Sequence, residues 1–295
     1  MPKTENSQWY VEQVAAGETH GHALTATLVQ GRSPFQAYAI VVSALFGKML
    51  VLDGDTQSAA LDEHIYHESL VHPACALHGR PERALILGGA EGASLRELLR
   101  LPGMRRVTMV DIDGEVVQAC RTHLPEWSNG AFDDPRSELI VGDAKAYLET
   151  SKEQFDVIVG DLTEPLEDSP SYGLHTVAFY QKIRERLAPR GLYALQASMA
   201  GPHNHQTHAR MIATLRASFE HVAPYSTYVP AFDTEWGFAL CGAALDAGSE
   251  AAAKSADSLA ASLGLRHYDG QTHRRMFNLP RYLRDAYASE TRVYK

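Results

Sequence analysis

From Pro81 onward short apolar runs alternate with amphipathic ones, and this alternation constrains the fold more than any other feature of the chain. Residues 83–87 read as a strand, 94–101 as a helix with Leu95, Leu98 and Leu99 on one face, and 106–112 as a strand. Residues 114–123 read as a helix with Val116 and Cys120 facing the sheet, 138–141 as a strand, 144–149 as a short helix and 155–160 as a strand. A helix over 176–187, a strand over 191–197, a helix over 207–219 and a closing strand pair, 222–229 and 236–241, complete the series. Alternation of this kind implies parallel strands joined by right-handed crossovers, an α/β doubly wound sheet.

Ahead of Pro81 the pattern differs. Residues 23–29, 39–42 and 48–52 are strand-like, separated by turn signals at Gly31 and Gly47 and closed by Asp53-Gly54. No helix of ordinary length fits, so a small antiparallel β domain over residues 1–61 is expected to precede a catalytic domain over 62–295. The second unit opens with a helix over 62–76, with Ile65, Leu70 and Val71 as core positions. Residues 246–262, rich in alanine and serine, read as a surface linker leading into a helix.

Open parallel sheets bind ligands at the carboxyl ends of their strands. Those ends carry Gly88-Gly89-Ala90-Glu91-Gly92, then Asp111 and Asp113, then Gly142-Asp143, then Asp161. One acid at a strand end is often a helix cap, and Asp143 keeps that reading beside a role toward an adenine amino group. Four strands in succession ending in acids are harder to explain by capping. Glu91 in the glycine loop would repel a pyrophosphate, so a cationic adenosyl sulfonium fits better than a nicotinamide cofactor. Asp111, about twenty residues on, has the spacing of an acid that accepts both ribose hydroxyls. Behind Asp161, the residues Glu164, Glu167 and Asp168 form either a solvated acidic loop or a site for a substrate with several positive charges.

The charge balance narrows the partners. With 36 acidic residues against 27 lysines and arginines, net charge −9, the chain is no general nucleic-acid binder, and polycations suit it better. No run approaches the roughly eighteen apolar residues that span a bilayer, and the start lacks an apolar leader segment, so a cytoplasmic location is expected. Cys75, Cys120 and Cys241 read as core thiols, and the groups His64, His67, Glu68 and His203, His205, His208 match no zinc spacing, so no metal is expected. Trp236, Phe238 and Tyr228 read as core or pocket wall.

These residues resemble the spermidine synthase family of polyamine aminopropyltransferases along nearly the whole chain. The likeness is carried by Ser33-Pro34-Phe35-Gln36, by residues 46–54 with Gln57, by residues 62–68, by the Gly88–Gly92 loop and by Asp111-Ile112-Asp113. It continues through residues 132–136, Gly142-Asp143-Ala144, residues 161–165, Leu195-Gln196-Ala197 and the tail with Tyr268-Asp269, His273 and residues 277–280. Residues 168–176 are similar to thermospermine synthases and to bacterial agmatine or triamine aminopropyltransferases. The resemblance implies a small β domain before a Rossmann-like, methyltransferase-type domain, and transfer of an aminopropyl group from decarboxylated S-adenosylmethionine to an amine, with no permanently bound cofactor.

By the same resemblance Asp161 is the base, with Tyr66 and Gln196 aiming it. Gln36, Gln57, Gly88, Gly89, Glu91, Gly92, Asp111, Ile112, Asp143 and Ala144 hold the donor, Glu91 at its ammonium. His67, Glu91, Asp161, Glu164, Phe232 and Trp236 meet the acceptor, a small diamine or polyamine such as putrescine, agmatine or spermidine. A homodimer or homotetramer is implied. The chain departs from the commonest family pattern with Glu91 in place of Asp, Asp111 in place of Glu, Asp-Leu-Thr-Glu-Pro after the fourth strand in place of Asp-Ser-Ser-Asp-Pro, and Phe232 in place of a tyrosine.

Overall fold

The structure, a computed structural model, describes residues 8–15, 17–165 and 171–295. Five antiparallel strands come first, β1 (Gln8–Ala15), β2 (Glu18–Arg32), β3 (Ala37–Ser43), β4 (Gly47–Leu52) and β5 (Asp55–Ala59), each beside its sequence neighbour. Asp53 (φ 48°) and Gly54 (φ 94°) form the two-residue turn between β4 and β5, the left-handed pair that matches strand twist. The sequence Asp-Thr-Gln-Ser-Ala of β5 carries no apolar run, and it is a strand because β4 supplies the ladder.

The second sheet holds β6 (Arg83–Gly88), β7 (Arg106–Asp111), β8 (Ser137–Val141), β9 (Phe155–Asp161), β10 (Leu187–Met199), β11 (His221–Val229) and β12 (Thr234–Gly242). Its order is β11-β12-β10-β9-β6-β7-β8. The strands from β10 to β8 are parallel, and β12 runs antiparallel to both of its neighbours. From β6 the chain builds outward through β7 and β8, then returns to place β9 on the other side of β6. The switch point therefore lies between β6 and β9, where Gly88 is in register with Asp161. Residues of β6 alternate between two cores, Ile86 into one and Leu85 and Leu87 into the other, because helices cover both faces.

Ten helices are assigned among the described residues: α1 (Glu63–His78), α2 (Ala93–Leu99), α3 (Gly114–His123), α4 (Pro125–Ser128), α5 (Ala144–Thr150), α6 (Val177–Arg186), α7 (Gln206–Arg216), α8 (Glu250–Leu263), α9 (Gly270–Phe277) and α10 (Arg281–Ser289). Helix α1 is buried on every side from Tyr66 to Ala76; Leu70 and Val71 are core, while Ile65 is only half-buried because it precedes the enclosed part.

Two expectations need correction. Val116 and Cys120 of α3 pack with Ile40, Leu50 and Leu52 of the first sheet and with Trp127, so this helix joins the two sheets. Residues 250–263 are no linker. They form α8, capped by the Ser249 hydroxyl and ended by left-handed Gly264, and its small Ala252, Ala253 and Ala256 are buried in close contact with α9 and α1. Cys75, Cys120 and Cys241 are buried free thiols.

Candidate active site

A cavity of about 510 Å³ opens where the ends of β6, β7 and β9 meet the first sheet. Gly88 and Gly89 make its floor. Gly88 has φ +83°, and a Cβ there would overlap the carbonyl oxygen of Asp161, while the Gly89 amide donates to that oxygen at 3.0 Å. The glycine loop is thus pressed against the backbone that carries Asp161, which no side chain would permit.

The Asp161 carboxylate accepts from the Tyr66 hydroxyl at 2.9 Å and from the Ser94 hydroxyl at 2.7 Å. Burial pushes its pKa up; the His67 cation pulls the other way, and Glu91 adds to the rise. Burial first, then Asp161, Glu91 and Glu164, hold the Tyr66 hydroxyl well above the ordinary tyrosine value, so it remains a donor. Gln196 donates to the Leu162 carbonyl and accepts from the Ser198 amide at 2.9 Å, fixing the loop after Asp161. Ser198, at φ +70° beside the irregular pairing of β10 with β12, donates to Glu164.

Glu91, 6 % exposed, accepts from Ser58 at 2.8 Å and pairs with His67 Nε2 at 2.7 Å. His67 Nδ1 is 3.0 Å from Glu63, which Arg96 also holds at 2.9 Å. Burial lowers the His67 pKa, but its bonds to Glu63 and Glu91 outweigh that and bring it up to about 10. His67 was expected among the acceptor contacts. The structure places it behind the cavity wall, fully enclosed by these partners, where it fixes Glu91.

Asp111, 8 % exposed, accepts from the Asp113 amide at 2.9 Å, and burial raises its carboxyl to about 6. Asp113 caps α3 through Val116 and takes hydrogen bonds from Ser33 at 2.5 Å and Gln36 at 3.0 Å, which ties the first sheet to the end of β7. Asp143 caps α5 by accepting from the Lys145 and Ala146 amides and also lines the cavity. Gln36, Gln57, Ala90, Ile112, Ala144, Glu164, Phe232 and Trp236 line the cavity as well; Gly92 lies outside it, at the N-terminal cap of α2. Glu167 and Asp168 lie outside the described residues.

Ser58, Ser94 and Ser198, each bonded to one of the acids, carry no signal that periodicity detects; Ser94 alone is suggested by its place in the first turn after the glycine loop. His208, set aside as a metal ligand, is buried between the Ala197 carbonyl and the Tyr287 hydroxyl, 2.6 Å from each. No helix among the described residues is long and apolar enough to cross a membrane.

The fold and this acid-lined switch point define a Rossmann-like transferase with an antiparallel sheet before it. Residues 63–247 match the spermine/spermidine synthase domain and residues 8–59 the spermidine synthase tetramerisation domain, and the chain belongs to this family of polyamine aminopropyltransferases. It is 41 % identical to a polyamine aminopropyltransferase of Synechococcus sp. over 97 % of this chain and 95 % of the relative. Against the same enzyme of Sulfolobus acidocaldarius it is 40 % identical, with the same coverage of both chains. Among solved structures, a spermidine synthase in complex with the transition-state analogue AdoDATO superposes with TM-score 0.87 at 25 % identity, covering 98 % of this chain and 97 % of the other. The Thermotoga maritima spermidine synthase gives TM-score 0.86 at the same identity and coverage.

Proposed function

We propose that this enzyme transfers the aminopropyl group of decarboxylated S-adenosylmethionine to the primary amine of a small polycation and releases methylthioadenosine. The observation that carries the reading is the Asp161 carboxylate, aimed into the cavity by Tyr66 and Ser94 on the floor it shares with Glu91. Family membership supports the donor, which is a co-substrate and not a resident cofactor.

Gln36, Gln57, Gly88, Gly89, Asp111, Ile112, Asp143 and Ala144 bind the adenosyl part, and Glu91 takes the ammonium of the aminopropyl arm. Asp161 accepts a proton from the acceptor's ammonium, whose pKa is near ~10, and the freed lone pair attacks the carbon beside sulfur. The new C–N bond forms as the C–S bond breaks, and the bonding pair neutralises the sulfonium as a thioether. Held within roughly 3 Å of each other, the two reactants need orientation and deprotonation above all. Glu164, Phe232 and Trp236 guide the acceptor's chain. The assembly is a homodimer or homotetramer, and buried free thiols suit a cytoplasmic enzyme.

Chromatography of reactions with putrescine, agmatine and spermidine tests the proposal. Methylthioadenosine released in step with an aminopropylated product is expected for at least one amine, and none with any of them overturns it.

Asp111 makes the reading pH-sensitive. With a carboxyl near 6, only about one-tenth of it is ionised at pH 5, so acid removes the anion that accepts the ribose hydroxyls. Calorimetric affinity for methylthioadenosine, a neutral probe, is expected to fall about tenfold from pH 7.5 to pH 5. Asp111→Asn is expected to bind weakly at both pH values.

A further inference from the structure

A buried carboxylate grips an ammonium well only if its oxygens are aimed, and Glu91 cannot aim itself from a glycine loop. Its two oxygens are held by different partners. Oε1 meets His67 Nε2 at 2.7 Å, and Oε2 accepts from the Ser58 hydroxyl at 2.8 Å. Behind each partner stands a further one. His67 Nδ1 lies 3.0 Å from Glu63, while the Trp127 indole Nε1 donates to the Ser58 oxygen at 3.0 Å.

Both arms end on Arg96, in α2, which follows the glycine loop directly. Its Nη2 donates to Glu63 at 2.9 Å and its Nη1 to the Trp127 carbonyl at 2.6 Å. The hydrogen bonds therefore close into a ring, from Arg96 through Glu63 and His67 to one oxygen of Glu91, and from the other oxygen through Ser58 and Trp127 back to Arg96. The third nitrogen, Nε, donates to Glu97 at 2.9 Å, and Glu97 is itself held by His72 and Arg100, each at 2.7 Å. Arg96 is thus anchored from behind while it serves both arms, a task that needs a planar fork and that the point charge of a lysine does not match. Burial pushes the Glu63 carboxyl up, but its bonds to His67 and then Arg96 outweigh that and hold it down at about 2, so it stays an anion that orients His67. Ser58 belongs to β5 of the first sheet, so the ring also crosses from one sheet to the other. Arg96, Glu63, His67, Trp127 and Ser58 are absent from the cavity lining, which leaves Glu91 as the point where the ring meets a ligand.

We infer that Arg96 is a positioning residue for donor recognition: without touching the ligand, it aligns the Glu91 carboxylate toward the aminopropyl ammonium through Glu63 and His67 on one side and Trp127 and Ser58 on the other. This inference rests on the aminopropyl-transfer reading and gives the donor's cationic arm a support outside the cavity.

Calorimetry with decarboxylated S-adenosylmethionine and with methylthioadenosine, each without an acceptor amine, tests it in the wild type, Arg96→Lys and Trp127→Phe. Trp127→Phe keeps the carbonyl for Arg96 and the ring packed beside Leu50 and Val116, and loses only the indole N–H. The wild type is expected to bind the decarboxylated donor more tightly than methylthioadenosine. Arg96→Lys should lower that ratio about tenfold and Trp127→Phe about threefold, with methylthioadenosine affinity within about twofold of wild type in both. In a Glu91→Gln background neither substitution should lower the ratio further, because the carboxylate through which Arg96 acts is gone. A strut that merely joins the sheets would lower the melting temperature and leave the ratio alone. A ratio unchanged in both variants, equal weakening of both ligands, or an undiminished effect in the Glu91→Gln background overturns the inference and leaves the transfer reading standing. If circular dichroism shows Arg96→Lys unfolded, Trp127→Phe with and without Glu91→Gln decides by the same outcomes. A wild type that binds the two ligands equally overturns the assignment of Glu91 to the donor's ammonium, and this inference with it.

Discussion

Asp161→Asn is expected to lower kcat for aminopropyl transfer about a thousandfold or more and to leave the affinity for methylthioadenosine within about threefold of wild type. The size follows from the role proposed for the carboxylate. An acceptor amine at neutral pH is almost wholly protonated, and the general base both removes that proton and holds the nitrogen in line, contributions of about 10²–10⁴ and more when combined. The binding half follows from geometry. The replacing asparagine keeps an oxygen for Tyr66 and a group able to bond Ser94, and the backbone carbonyl against the glycine loop is untouched, so the adenosyl subsite persists. Steady-state kinetics beside calorimetry read the two effects apart. A kcat within tenfold of wild type would remove Asp161 from the role of base. On its acid side the wild-type rate should fall at a pH above that of an ordinary aspartate, because burial and Glu91 raise the Asp161 carboxyl.

The alternation of strand and helix is legible in the sequence because each element of the second sheet carries its own periodicity: Ile86 must point opposite to Leu85 and Leu87, and Leu95 and Leu98 must share a face. The acids at the strand ends are legible for the same reason, since topology brings all such ends to one edge. What is hidden depends on partners distant in sequence. Val116 and Cys120 are apolar with helical spacing, and nothing local says that their partners are Ile40 and Leu50 of the first sheet. The alanines of α8 look like linker composition until α9 lies against them. The burial of His67 follows from Glu63, Glu91 and Arg96 converging from three elements. Glu12 enters the cavity only because β1 and β5 are brought together, a non-local event that no window of residues contains.

Glu91→Gln is expected to act on binding where Asp161→Asn acts on rate. In the proposed reading the donor's ammonium lies outside the bonds being made and broken, so its contact with Glu91 is equally strong in the ground and transition states. Losing it raises KM for the decarboxylated donor about a hundredfold with little change in kcat. Affinity for methylthioadenosine, which has no ammonium, should change little. The same substitution has a structural cost, since His67 is a buried cation balanced by Glu63 and Glu91, and a neutral glutamine in place of Glu91 leaves it half-compensated. Removing one partner of a buried pair costs about 3–5 kcal/mol, here at the lower end because Glu63 remains, and the melting temperature should fall by several degrees. Glu91→Gln with His67→Gln together removes the stranded cation, so the double variant should recover stability without recovering donor affinity. If the double variant regains neither, His67 and Glu91 act independently; if it regains donor affinity, the ammonium is held elsewhere in the cavity. The first pattern, stability restored and KM still raised, is the signature of a carboxylate whose buried histidine exists to aim it at a cationic donor.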